Sequence, residues 1–308
     1  VSIIRSIPGI VAAGGAAAPS LPTFTQRTSS FGADHINGIW YDGTYWLAVG
    51  YNGKIATATD PTGTWTQRTS SYGTSHVFTC VYDGSTYWAT GGETGKLATA
   101  TDPTGTWTQR TSNFGGDHIY GSGWGNGVWV MVGPGGKLST ATDPTATWTA
   151  RTSGYGSDAI LDAYYGNSIW VTVGVSGKLF TAPDPTGTWT SRTSGFGSSA
   201  VRGAYYDGST YWVVVGDDGK LATATDPTGT WTLQTSGFGT TDIFKVGYDG
   251  YYWIAVGNGG KMSWAVDPTG TWTIMTSSYG ATNIRGIHFG SDNIWGTVAN
   301  SGKLATGE

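Results

Sequence analysis

Residues 44–68 read TYWLAVGYNGKIATATDPTGTWTQR, and this phrase returns along the chain at steps of 41 or 42 residues. Gly-Lys pairs mark it at Lys54, Lys96, Lys137, Lys178, Lys220, Lys261 and Lys303. Thr-Trp pairs mark it at Trp65, Trp107, Trp148, Trp189, Trp231 and Trp272. A second tryptophan series runs between them: Trp46, Trp88, Trp129, Trp170, Trp212, Trp253 and Trp295. Together the two series use thirteen of the sixteen tryptophans, so tryptophan is read first as architecture.

Working outward, each unit predicts four short strands. In the first unit, residues 36–41 are apolar and run into Asp42-Gly43, a dipeptide suited to a tight hairpin. Residues 45–50 follow, rich in aromatic and β-branched side chains. Tyr51-Asn52-Gly53 turns the chain into 54–59. Asp60-Pro61-Thr62-Gly63 then fits a type I turn, with Asp first, Pro pre-set second and Gly fourth, before a last strand over 64–68. Units two, five and seven carry one extra residue in the first hairpin, as in Asp83-Gly84-Ser85, which accounts for the longer steps.

Four strands in about 41 residues is the period of a propeller blade. Seven copies of the first three strands occur, but only six last strands follow an Asp-Pro turn. The seventh stands at the other end: Thr23-Phe24-Thr25-Gln26-Arg27 matches Thr64-Trp65-Thr66-Gln67-Arg68, with Phe24 in the tryptophan slot. The expected fold is therefore an all-β, seven-bladed β-propeller of four-stranded antiparallel blades over 23–308, its N-terminal strand closing the last blade. Residues 1–22, rich in Ala, Gly, Ile and Val, are read as an apolar N-terminal arm rather than a cleaved leader, despite Arg5 ahead of an apolar run.

Composition narrows function by exclusion. Charged residues are 12 % of the chain and the net charge is −4, with no basic run, so no nucleic-acid partner is expected. No stretch of eighteen apolar residues predicts a membrane span. Cys80 is the only cysteine, so no intrachain disulfide can form.

The segment Asp60-Pro61-Thr62-Gly63-Thr64-Trp65 resembles the Asp-box of sialidase-like (BNR-repeat) propellers, Ser/Thr-x-Asp-x-Gly-x-Thr-Trp. The Asp-to-Trp interval and the Thr before Trp agree. The Gly comes one residue late, Ala58 stands where that family has Ser or Thr, and the third unit has Ala146 for the Gly. The resemblance implies a propeller and a structural turn. It does not carry sialidase activity, which in that family uses an arginine triad on the substrate carboxylate. Arg27, Arg68, Arg110, Arg151 and Arg192 are repeat positions on outermost strands; only Arg202 and Arg285 lie on innermost ones.

The repeats also supply an internal comparison of the two faces of the disc. One face carries near-uniform turns, Asp-Gly or Gly-Asn hairpins and Asp-Pro-Thr-Gly. The other varies from blade to blade, in the turns between second and third strands and in the links between blades. Candidate binding residues there are Asp34, His35, Tyr51, Asn52, His76, Glu93, Asp117, His118, Asp217, Asp218 and Asp242. Asn37, Phe78, Tyr120, Arg202 and Arg285 add the channel-wall slot, which also holds Leu161 and Phe244. Variation confined to one face points to a partner there. His35, His76 and His118 share one slot in three consecutive blades, a spacing too wide for imidazoles that must each approach a metal to about 2 Å, so no metal and no other cofactor is expected. Trp40, Trp124 and Trp264 stand outside the two series and are read as core before sugar-stacking platforms.

No nucleophile elbow, metal-ligand pair or phosphate loop appears, so no enzyme is expected. The sparse charge, the Thr/Ser/Gly surface and the apolar arm resemble a bacteriophage virion component, such as a tail or capsid-surface protein. The expectation is a structural and recognition component of a virion or extracellular assembly. Residues 1–22 would dock on other assembly proteins, and the varied face would meet a host receptor or glycan. A secreted carbohydrate-binding lectin and, behind it, a glycosidase-like enzyme built on the acidic residues are the alternatives.

Overall fold

The computed structural model describes residues 18–308, in which seven four-stranded antiparallel sheets form the blades of one ring. Blade 1 comprises Ile36–Tyr41, Trp46–Gly50, Ile55–Ala58 and Thr66–Arg68. Five further blades repeat this order, and their last strands end at Arg110, Thr152, Thr193, Thr235 and Met275. Blade 7 takes its first three strands, Ile284–Phe289, Trp295–Ala299 and Lys303–Gly307, from the C-terminus. Its fourth is Phe24–Thr28, antiparallel to Lys303–Gly307 with Phe24 opposite Gly307 and Thr28 opposite Lys303. The expected closure is what the chain adopts. Of the expected arm, residues up to 17 lie outside the described residues.

Core packing lies between blades as much as within them. Trp46 is wholly buried in a cluster that joins Ile36, Ala48 and Ala56 of blade 1 to Val298 and Leu304 of blade 7. The equivalent tryptophans fill the other junctions. Each aromatic of this size removes roughly 150–250 Å² from water, a gross gain of about 4–6 kcal/mol before chain entropy is subtracted. Seven such wedges replace the single core of an ordinary domain. Trp40, Trp124 and Trp264 also pack against these clusters, as expected for core rather than platform residues.

The Asp-Pro turns hold themselves. Asp60 Oδ1 accepts from the Thr62 backbone N–H at 2.8 Å and the Thr62 hydroxyl at 2.6 Å, and Trp65 Nε1 donates to the Pro61 carbonyl at 3.1 Å. These bonds keep the Asp60 carboxyl below the usual carboxylate range. The outer-strand arginines also have a local job, since Arg68 Nε donates to Thr57 Oγ1 on the neighbouring strand at 2.8 Å, and Arg110, Arg151 and Arg192 repeat the contact. No helix among the described residues is long and apolar enough to cross a membrane.

Candidate functional site

The varied turns between second and third strands are tight, 3₁₀ in four of the seven blades, and their middle residue is left-handed. Asn52, Thr94, Ser176, Asp218 and Ser301 all have φ between 52° and 59°. The glycine that follows is fixed by space: a Cβ on Gly53 would stand 2.2 Å from the Gly73 carbonyl oxygen of the next link. Turn and link are therefore pressed together at every junction, and many varied side chains serve that contact.

The histidine slot is an acceptor for the turn of the preceding blade. His35 Nδ1 accepts from Ser301 N–H at 2.9 Å, His76 Nδ1 from Asn52 N–H at 3.1 Å and His118 Nδ1 from Thr94 N–H at 3.3 Å. Asp242 Oδ1 and Asn283 Oδ1 do the same for Asp218 and Gly259, at 3.2 and 2.9 Å. The residue just before this slot accepts from the repeated lysine. Asp34, Asp117 and Asp158 form ion pairs with Lys54, Lys137 and Lys178 at 2.8, 2.6 and 2.9 Å, while Ser199, Thr241 and Thr282 offer hydroxyls to Lys220, Lys261 and Lys303. All seven lysines also donate to the carbonyl of a link aromatic, as Lys54 does to Phe31 at 2.9 Å. Thus the identity of the acceptor drifts and its role persists.

Several other candidates belong to the same lattice. Asn52 Nδ2 donates to Asp34 Oδ1 at 2.8 Å, and in blade 5 the polarity reverses, with Ser199 donating to Asp218 Oδ2 at 2.6 Å. Glu93 accepts from the His76 backbone N–H at 2.9 Å. Asn37 Nδ2 donates to the Val77 carbonyl of the next blade at 2.8 Å. Asp217 pairs with both ends of the Arg202 guanidinium, Nη2 to Oδ2 at 3.2 Å and Nε to Oδ1. The three histidines are thus engaged at three separate junctions. Among the described residues no group of three or more His, Cys, Asp or Glu gathers as a metal would need.

What the structure does bring together is the channel mouth. Around blades 1 to 3 the rings touch in a chain: His35 and Tyr51 at 4.6 Å, Tyr51 and His76 stacked at 3.8 Å, then His76, Phe78, His118 and Tyr120 at 5.7 to 6.3 Å. On the far side, Arg202 and Arg285 both lie over Phe244, 5.5 and 5.4 Å from the ring centroid. All these rings and both arginines are half-buried.

One residue deeper, an ion pair bridges blades 4 and 6 along the channel wall. Lys245 Nζ of blade 6 reaches Asp162 Oδ2 of blade 4 at 2.6 Å, passing blade 5 at Gly203, where a Cβ would stand 3.3 Å from Lys245 Cδ. Thr79 and Ser122 join blades 2 and 3 through their hydroxyls at 2.6 Å. Neither Lys245 nor Asp162 stood out in the sequence. Both follow a bulge, with register shifts between Ile160 and Asp162 and between Ile243 and Lys245, which breaks the two-residue alternation that assigns side chains to faces. Two shallow clefts lie elsewhere, one beside Trp65 between blades 7 and 1 and one beside Trp124 near the uniform face.

No protein-family model matches the sequence, and no curated protein does. Among solved structures, the chain is similar to YCF48 from Cyanidioschyzon merolae, at 16 % identity over 92 % of this chain and 98 % of that one, TM-score 0.73. YCF48 bound to D1 peptide matches at 17 % identity over 94 % and 96 %, TM-score 0.75. A catalytically inactive virginiamycin B lyase from Staphylococcus aureus with quinupristin matches at 11 % identity over 93 % and 99 %, TM-score 0.82. At these identities the likeness is one of fold, and it spans proteins of different activity: a seven-bladed β-propeller is what the chain shares with them.

Proposed function

We propose that this propeller is a non-enzymatic recognition and structural component of a virion or extracellular assembly, which contacts its partner through the channel mouth on the varied face. The observation that carries the reading is the division of labour between the two faces. Residues 18–22 leave the ring at the uniform-face side: the Pro19 carbonyl accepts from Tyr252 Oη at 2.6 Å and Leu21 packs against the cluster that holds Phe24, Tyr252 and Ile254. The half-buried rings and arginines converge on the opposite side. The described part of the arm, residues 18–22, therefore lies away from the mouth.

Exposed apolar side chains support docking on that flank. Leu233, Val266 and Ile274, each about half exposed, lie on the outer parts of blades 5 and 6, where blades 1 and 2 carry Gln67 and Gln109 in the slot of Leu233 and Ile274. A propeller of the same fold is known bound to a peptide, which supports a polypeptide partner over a sugar. Co-purification tests the reading. The full chain is expected to accompany the particle or assembly from its source, deletion of residues 1–22 to release a folded ring, and Tyr51→Ala with Tyr120→Ala to abolish partner binding. Partner binding unchanged in that double variant would overturn it.

A further inference from the structure

Arg285 is a cation without a counter-charge. Its Nε donates to Asn300 Oδ1 at 2.8 Å, but among the described residues neither terminal nitrogen has a hydrogen-bond acceptor, and no carboxylate lies within ion-pair distance. Its neighbour on Phe244, Arg202, is in a different state, held at both ends by Asp217. Burial, and then the nearby charge of Arg202, disfavour the charged form of Arg285, while Tyr51 nearby opposes them. Its terminal nitrogens are not sealed from solvent, so the fork is open to an acceptor brought by a ligand.

The surroundings define what that acceptor is. Two terminal nitrogens of one planar fork match the two oxygens of a carboxylate. The aromatic arc begins beside them at Tyr51. Tyr51 and His76 are stacked on each other with 5° between planes, Phe78 is edge-on to His76 and His118, and Phe244 is covered by two guanidiniums. An apolar side chain of a ligand can pack among these half-buried rings.

We propose that Arg285, beside Phe244 and Tyr51, anchors the carboxylate of an extended polypeptide whose adjoining apolar side chain lies against Phe78 and Tyr120. This rests on the reading of the varied face as the contact surface and narrows it to a chemistry. It is distinct from an arginine triad, since the second arginine is already neutralised by Asp217.

The probe is an array of octapeptides ending in Phe, Tyr or Leu, each as free acid and as amide, with sialylated and uronate-containing oligosaccharides on the same array. The full chain and its Arg285→Gln and Arg285→Lys variants are applied to it, after thermal unfolding shows both variants folded. Free acids are expected to bind at least tenfold more tightly than their amides, with that preference lost in Arg285→Gln and partly kept in Arg285→Lys. Equal binding of acids and amides, or an unchanged preference in Arg285→Gln, overturns the proposal. Binding of the acidic oligosaccharides alone overturns the polypeptide assignment, and no binding at all counts against the anchor. If Tyr51→Ala with Tyr120→Ala abolishes capture of the natural partner while Arg285→Gln does not, the anchor fails and the contact face stands.

Discussion

Asn52 donates its backbone N–H to Nδ1 of His76 across the junction of blades 1 and 2, at 3.1 Å. The donor is a left-handed turn residue, and the acceptor is the first residue of interest in the next blade's link. The same bond recurs with histidine, aspartate or asparagine as acceptor at five junctions, and at the other two the slot holds Ala159 and Ala200. A histidine in this slot must keep Nδ1 unprotonated to accept.

That requirement makes part of the ring's stability pH-dependent. His35 is held below its ordinary value of 6.5, by burial first and by the charge of Arg285 second, with Asp34 opposing. The unfolded chain then binds more protons than the folded one between the lowered folded value and 6.5. Unfolding free energy therefore falls as pH drops through that window and levels off below it. The Tm at pH 5 is expected to lie below that at pH 7.5. His35→Asn, which copies Asn283 of blade 7, keeps an acceptor without titrating and is expected to lessen the slope, the remainder coming from His288, which burial holds down to about 3. An equally steep profile in His35→Asn would rule out this histidine as a source.

Trp46 Nε1 finds a carboxylate, Asp292 Oδ2, at 2.8 Å in the preceding blade, and Trp88 and Trp295 find Asp42 and Asp249. Trp170 and Trp212 are buried with Nε1 unpartnered. Both follow blades whose hairpins begin with Gly125 or Gly166 in place of Asp. Space explains the glycines: a Cβ there would stand 2.2 Å from the Tyr165 ring or 2.7 Å from the Tyr206 ring. Gly166→Asp is therefore expected to destabilise by about 1–3 kcal/mol through overpacking, although it offers Trp212 an acceptor. Asp292→Ala is expected to cost about 1–3 kcal/mol by leaving Trp46 Nε1 without its partner. Denaturant unfolding measures both, and a more stable Gly166→Asp would show the missing acceptor to outweigh the clash.

The ring, its blade count and its closure were legible because the signals are periodic. Tryptophan every 41 or 42 residues, Asp-Pro turns and a displaced copy at 23–27 leave one arrangement. The site was less legible. Variation between blades at His35, Asp34 or Glu93 resembles the signature of a binding surface, yet each has a partner within its own ring. Sequence gives the residue type at a slot, whereas any acceptor suffices there. The link aromatics Phe31, Tyr72, Phe114, Tyr155, Phe196, Phe238 and Tyr279 were a visible series whose carbonyls gather the lysines, a role that side-chain pattern cannot reveal. Lys245 and Asp162 were hidden by the bulges before them.

The Lys245–Asp162 pair predicts a measurable coupling between blades 4 and 6. Asp162 is nearly buried and also accepts from the Ala204 backbone N–H at 3.3 Å, whereas the Lys245 side chain is 35 % exposed. Lys245→Met is expected to cost about 1–2 kcal/mol, less than a fully buried pair would lose, because solvent screens the exposed ammonium. Lys245→Met combined with Asp162→Asn is expected to cost less than the sum of the single changes. Strict additivity in the double-mutant cycle would mean that the two groups do not interact.

Closure gives the last prediction. Phe24–Thr28 is the sole strand of blade 7 from the N-terminal end, and it sits on Lys303–Gly307 through a five-residue register. Phe24 is 6 % exposed within the cluster of Ile254, Trp295 and Ala305, and Thr23 N–H donates to the Glu308 carbonyl at 3.1 Å. Removing residues 1–28 therefore strips an edge from blade 7 and uncovers an apolar wedge at a point where the ring's two ends meet. Such a truncation is expected to lower the Tm of the whole ring by 10 °C or more, on the scale of roughly 2–4 °C per kcal/mol for a chain of this size. Removing residues 1–17 leaves every contact named here in place and is expected to lower Tm by less than the longer truncation does. Equal stability of the two truncated proteins in a thermal melt would show that the N-terminal strand does not lock the ring.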